Sequence, residues 1–289
     1  MKESKIYSIL ATTLFVFLWG SAAIFTKLGI DNASPLVLLI FRFTTALFVL
    51  FFFCAFKKQF LPEKGKILES AIIGLVLIGG YSVCYFFSMS HGVTPGLIAT
   101  IMGTQPIIAL YITERPLYGY RLLGLIFALS GLILLVWQSL ISSALPITGL
   151  IFALLALIFI TAGTIYQKKI KQTPYRVLPL QYIISIILCV ILLPVDNFYI
   201  NFNIDLLSAI LFLGIFISVF AQILLYSLLN RGNVVNITSL FYLVPIVTVL
   251  LDYLIFGNQL PNFGVISMIL IIMGIIIVFY KPKRHDNMR

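Results

Sequence analysis

Residues 36–56 read LVLLIFRFTTALFVLFFFCAF, an apolar run with one charge in it, Arg42. Its length decides the fold class. A helix rises about 1.5 Å per residue, so the run measures roughly 31 Å, close to the hydrocarbon thickness of a bilayer. Polarity does not alternate along it, as it would in a lipid-facing barrel strand, and it is too long for a buried strand. It reads as a membrane-spanning helix with Arg42 inside it.

Nine further runs of this kind follow or precede it: about 6–27, 67–89, 96–113, 118–137, 147–167, 178–194, 206–229, 234–256 and 263–280. Of the 289 residues 61% are hydrophobic and 10% charged, and the mean hydropathy is +1.13. Soluble domains carry roughly 25% charged residues. A chain this apolar cannot cover a globular surface with polar groups, which excludes a soluble enzyme, a disordered protein and a nucleic-acid binder. The first run follows Lys2 and Lys5 and ends near Ser21-Ala22-Ala23, like a secretory signal, but it continues to about Gly29, too far for a signal core. We therefore expect it to be the first span. Cys54, Cys84 and Cys189 all lie in apolar runs without metal-ligand spacing and read as small hydrophobes. The sequence calls for no metal and no cofactor.

The net charge of +10 reports topology. With the N-terminus inside, seventeen of the nineteen Lys and Arg fall in inner segments and none in the five outer loops; only Lys27 and Arg42 remain. Short cytoplasmic loops collect basic residues. This predicts ten spans with both termini cytoplasmic in the plasma (inner) membrane, and the lipid bilayer rather than nucleic acid as the partner of the basic surface.

The chain also repeats itself. Pro35 and Pro174, Arg42 and Gln181, and Pro106 and Pro245 are each 139 residues apart; Tyr85 and Tyr226 are 141 apart, and Gly131 and Gly274 are 143 apart. The expected units are residues 1–140 and 141–289, each of five spans. Five is odd, so the second copy enters the membrane from the opposite face. The predicted fold is an all-α polytopic membrane protein built as two inverted five-helix repeats, a design suited to alternating access.

Individual motifs then point to a family. Trp19-Gly20-Ser21, Arg42, Gln105-Pro106 and Glu114-Arg115 in the first half resemble an EamA-type permease of the drug/metabolite transporter superfamily. So do Leu228-Leu229-Asn230-Arg231-Gly232, Leu243-Val244-Pro245 and Gly274 in the second. That resemblance implies ten spans from two five-span repeats, and transport of amino acids or related metabolites, with export the commoner direction.

The residues themselves nominate a site. Arg42, about 10 Å into the membrane, and Asp252 are ionisable groups inside spans, which are functional candidates by default. We expect Arg42 or Lys27 to face Asp252 across a polar outer cavity, with an interhelical ion pair or snorkelling as the alternative. Pro106 and Pro245 each remove a helical hydrogen bond near mid-membrane and are predicted hinges flanking a central cavity. Tyr81 and Tyr85 share one helical face; Gln222 and Tyr226 share another; Tyr242 and Asp252 lie on a stripe of the ninth span; Trp19 and Gln105 join them. Such a lining offers stacking, cation–π contact and a few hydrogen bonds to a small-molecule substrate. Tyr7, Tyr118, Tyr120 and Tyr280 read instead as interfacial belt. The fifth and tenth spans carry small residues, Gly124, Ser130 and Gly131, and are candidate packing or oligomer surfaces. No HExxH, G-x-S-x-G or phosphate loop is present, so an enzyme or ATP-driven pump is not expected. The alternatives to an exporter are an uptake carrier for a cationic or nucleotide-like metabolite, a channel, or a scaffold.

Overall fold

In lipid every backbone N–H and C=O must find its partner inside the protein, so the apolar runs are forced into helices. The computed structural model describes residues 2–115, 118–137, 141, 146–256, 261 and 263–280, and the side chains of these except 2–9, 252, 255 and 256. Its helices follow the runs: α1 (Lys2–Ile30), α2 (Pro35–Lys57), α3 (Ile67–Ser90), α4 (Pro95–Thr113), α5 (Gly119–Leu135), α6 (Ile147–Ile170), α7 (Pro174–Leu192), α8 (Ile204–Arg231), α9 (residues 234–256) and α10 (Gly264–Phe279). Among the described residues eight are long and apolar enough to cross a membrane. The other two, α5 and α10, are shorter, at 17 and 16 residues. At about 1.5 Å per residue they fall short of a 30 Å core by about one turn each.

Four helices depart from regular geometry. In α3 Gly74–Gly80 and in α8 Phe212–Ala221 are π-helical. Interruptions were expected at Pro106 and Pro245: α4 breaks at Gly103 and Thr104, and α9 passes through a 3-10 turn at Leu240–Leu243 before Val244–Phe256. Pro106 and Pro245 each follow their break as the second residue of the new helical segment. There the missing N–H is one the first turn leaves unpaired anyway, so the proline costs little. In α4 the N–H groups of Ile107 and Ile108 both turn to the Thr104 carbonyl, 3.1 Å each, which frees the carbonyl of Gly103. The Tyr242 hydroxyl from α9 donates to it.

That bond makes a test. Tyr242 is fully buried, so Tyr242→Phe strands the Gly103 carbonyl in an apolar setting. We expect a loss of about 1–3 kcal/mol of stability, read as a lower unfolding midpoint of the purified protein. An unchanged midpoint would show that the carbonyl has another partner.

The largest core cluster joins α1, α2, α3, α7 and α8 through side chains such as Phe15, Leu39, Phe43, Leu50, Tyr182 and Leu213. A second cluster joins α4, α5, α9 and α10. The small-residue seam of α5 is used inside the chain: Gly124 faces Gly274, and Gly131 faces Ser267. The outward faces of both helices remain apolar and exposed, as Ile126, Phe127, Ile269 and Ile276 show. At the end of the molecule that carries Lys27, the loop after α1 clasps the loop after α7. Ser34 N donates to Tyr199 O (2.8 Å) and Asn201 N to Asn32 O (2.7 Å). Asp196 Oδ2 accepts from Leu36 N (2.8 Å) at the start of α2, where a carboxylate also meets the positive end of the helix dipole. Cys54, Cys84 and Cys189 are buried free thiols.

Candidate functional site

A cavity of about 570 Å³ lies among α1, α2, α3, α4, α8 and α9, and reaches the end of the molecule where Lys27, Pro95 and Pro261 lie. Trp19 and Thr26 come from α1, Arg42 from α2, and Tyr81, Ser82, Tyr85 and Phe86 from α3. Ala99, Met102 and Gln105 come from α4, and Phe241, Pro245, Thr248 and Val249 from α9. Its aromatic base is a cluster in which Trp19 meets Phe15 at 5.1 Å and the edge of Phe241 at 5.4 Å between ring centres. Thr248 Oγ1 donates to the Gly20 carbonyl (2.7 Å) and ties α9 to α1 below the opening.

Arg42 and Lys27 are the two basic side chains among the described lining residues, and Arg42 is the deeper one along the spans. Its Nε donates to Ser218 Oγ at 2.8 Å, and its guanidinium carbon lies 5.6 Å from the Phe43 ring and 5.8 Å from the Phe86 ring. Ser218 belongs to the π-helical stretch of α8, and its carbonyl accepts from the Tyr182 hydroxyl. The wider register there leaves a carbonyl available to a side chain, as π-bulges at functional sites commonly do. Lys27 pairs with Asp31 at 2.5 Å, both half exposed.

The opposite end, which carries Lys57, Lys66, Lys168, Arg176 and Arg231, is shut by two layers of polar contacts. The inner layer is a buried chain: Tyr226 hydroxyl donates to Gln181 Oε1 (2.7 Å), and Gln181 Nε2 donates to Gln167 Oε1 (3.1 Å). The outer layer centres on Glu114 and Arg121, an ion pair with side chains only 9% and 10% exposed. Arg121 also donates to Asn236 Oδ1, and Asn233 Nδ2 donates to Glu114 Oε1 at 3.0 Å, so the pair grips the start of α9. Beside it Lys168 Nζ donates to the carbonyls of Leu229 and Gly232 at the C-terminal end of α8. Those are the carbonyls a helix end leaves unpaired, at the negative end of its dipole. Asn230 Nδ2 donates to Gln172 O (3.0 Å), and Arg176 pairs with Glu63 at 2.9 Å.

Seven of the residues singled out from sequence line the cavity: Trp19, Lys27, Arg42, Tyr81, Tyr85, Gln105 and Pro245. Four others do not. Gln222 and Tyr226 are buried beside Gln181 on the shut side, Tyr242 is engaged with Gly103, and Pro106 sits behind Gln105. Gln181, which lies 139 residues after Arg42, is fully buried because that side is closed. Lys27 takes Asp31 as its partner, and the side chain of Asp252 lies outside the described residues. The sequence reading missed the Glu114–Arg121 pair and Thr248. The second had a signal, since Thr248 is three residues past Pro245 on the same helical face.

Residues 6–137 and 147–280 each match the EamA-like transporter family. The chain belongs to that family. It is therefore a multi-pass membrane transporter and not an enzyme. Among similar proteins are a probable amino-acid metabolite efflux pump of Escherichia coli strain K12, 22% identical, with 91% of this chain and 92% of that protein aligned. An uncharacterized transporter of Archaeoglobus fulgidus is 21% identical over 98% of this chain and 100% of its own. A solved crystal structure superposes with a TM-score of 0.77 at 17% identity, covering 94% of this chain and 97% of that one, a likeness of fold. Within this EamA-like chain, the cavity is the candidate solute site.

Proposed function

We propose that this EamA-like protein is a secondary carrier that exports small organic solutes, amino acids or related metabolites, across the cytoplasmic membrane by alternating access. One observation carries the reading: a solute-sized cavity reaches one end of the molecule while the other end is sealed by bonds that single rearrangements can break. A pore would need continuity, and a scaffold would need no cavity.

The machinery we infer is a pair of inverted five-helix repeats, residues 1–140 and 141–289. Three features support it. Gly124 meets Gly274 and Gly131 meets Ser267, so α5 and α10, the corresponding helices of the two halves, cross antiparallel. Gly74 of α3 abuts Gln181 of α7, and Gly214 of α8 abuts the Arg42 carbonyl of α2. Those two crossings exchange under the 139–140-residue offset that relates Arg42 to Gln181 and Gly74 to Gly214. Pro106 and Pro245 also occupy the same place after a helix break. In such a repeat the sealed site around Gln181, Gln222 and Tyr226 is the counterpart of the open one around Arg42, Tyr81 and Tyr85, and the two exchange roles in transport.

The basic end is the cytoplasmic one on this reading, because positive charge collects inside, which makes the described cavity outward-open. Export is favoured by the name carried by the Escherichia coli relative. Reconstituted protein, tested by counterflow against a panel of labelled amino acids and metabolites, should show saturable exchange of at least one solute. Ion conductance without any saturable solute flux would overturn the carrier reading in favour of a channel.

A further inference from the structure

Arg42 has capacity that nothing in its surroundings uses. A guanidinium offers five N–H donors and never loses its charge. Nε is committed to Ser218, but among the described residues its terminal nitrogens donate to no side chain or carbonyl, and no carboxylate lies within ion-pair distance of it. A charge at membrane depth without a counter-charge is costly, and it is kept where a cavity or a partner supplies compensation. The guanidinium carbon lies over the Phe43 and Phe86 rings, 5.6 and 5.8 Å from their centres, within cation–π range, and these contacts consume none of its N–H donors. The cavity's other lysine or arginine, Lys27, is already satisfied by Asp31.

We infer that the transported solute carries a carboxylate, that Arg42 receives this group through its two free terminal nitrogens, and that the solute's apolar body lies against Trp19, Tyr81 and Tyr85. This rests on the carrier reading above and narrows it to organic acids and amino acids. A planar fork of donors matches a carboxylate bidentately, which neither an amide nor an amine can exploit. An amphipathic cation meets like charge at the same place, so the cationic class considered from sequence is disfavoured. Tyr81 and Tyr85 stand one helical turn apart with ring centres at 5.7 Å, a wall able to stack a flat side chain.

The test uses the full chain in proteoliposomes and matched trios: phenylalanine, phenylalaninamide and phenethylamine, with parallel trios built on tyrosine, leucine and glutamine. In the unaltered protein the carboxylate member of any trio that competes for counterflow should do so at least tenfold better than its amide or amine. In Arg42→Gln that preference should collapse to within about threefold, and Arg42→Lys should restore part of it. Loss of the Ser218 bond alone would depress all members alike, so the acid-to-amide ratio separates recognition from structure. Ligand-induced shifts in thermal unfolding supply the same ratio without transport, and cover the case in which Arg42→Gln is too unstable to reconstitute. Equal or better competition by amides or amines overturns the inference and leaves the carrier reading standing; that is the result expected if Asp252 neutralises Arg42. Absence of saturable flux and of any thermal shift across the whole panel overturns both.

Discussion

Replacing Glu114 with alanine should unlock the basic end. In a chain whose three buried cysteines are replaced and whose buried Ser239 is changed to cysteine, a membrane-impermeant maleimide applied to the basic side should react at least about tenfold faster when Glu114 is alanine. The argument is energetic. Glu114 and Arg121 are almost wholly withdrawn from solvent, and removing one partner of a buried pair costs about 3–5 kcal/mol, because the other is left charged and unpaired. That cost falls on the sealed conformation. Once the face opens, water hydrates Arg121 and the penalty largely disappears. Every 1.4 kcal/mol of difference between the two states is a factor of ten in their ratio, so even half of the lower figure suffices. Asn233 at the start of α9 loses its acceptor at the same time, and Arg121, still bonded to Asn236, is left without its counter-charge.

The control is a charge swap. Glu114→Arg with Arg121→Glu rebuilds an ion pair of reversed sense, and labelling at position 239 should return towards the starting rate if the pair is the latch. Arg121→Ala should resemble Glu114→Ala, and combining the two should add little, the signature of residues acting as one unit. A correctly folded Glu114→Ala protein with unchanged labelling would remove this pair from the gate and leave closure to the Lys168 and Arg176 contacts.

What the sequence made legible follows from what its periodicities encode. Apolar runs report which segments leave water, so the helical membrane fold could be read at once from stretches such as 36–56. Residues three or four apart share a helical face, so Tyr81 and Tyr85 could be paired from spacing alone, as could Gln222 and Tyr226. Spacing does not say which end of the molecule a face opens towards. Tyr81 and Tyr85 therefore line the cavity, while Gln222 and Tyr226 are locked in the shut half. The Glu114–Arg121 pair was hidden for a different reason. Its members are seven residues apart but belong to different helical segments, with Glu114 extended just past α4 and Arg121 in the first turn of α5. Helical spacing does not apply between separate helices. The π-helical stretch of α8 that brings Ser218 to Arg42 has no sequence signal beyond Gly214, whose bare backbone admits the α2 backbone at Arg42.

Gly274→Leu should be the most damaging single change in the scaffold. A β-carbon at position 274 would come within 2.5 Å of both the Ala128 nitrogen and the Gly124 carbonyl oxygen, atoms of the facing backbone that cannot rotate away. Relief requires α5 and α10 to separate, which opens a gap along a seam packed through Leu125, Ala128, Leu132 and Ile271. Membrane helices associate through close packing rather than hydrophobic expulsion, so a widened seam has no compensating drive. Overpacking of a well-filled interior costs about 1–3 kcal/mol, and an obstruction made of backbone belongs at or above the top of that range. We expect an unfolding midpoint lower by many degrees, or failure to accumulate as a monodisperse protein, by size-exclusion chromatography after heating. Gly131→Leu should do the same, since its β-carbon would lie 2.8 Å from the Ser267 carbonyl oxygen on the same seam. Met273→Leu, at a half-exposed neighbouring position, should change little. An unaltered midpoint in both glycine variants would mean that α5 and α10 do not touch in the native protein, and the antiparallel crossing that supports the inverted repeat would go with it. A seam this close leaves no room for the two helices to slide, so α5 and α10 act as a fixed brace. On the alternating-access proposal, the exchange between open and sealed ends then falls to the helices that carry breaks or π-helical turns, α3, α4, α8 and α9.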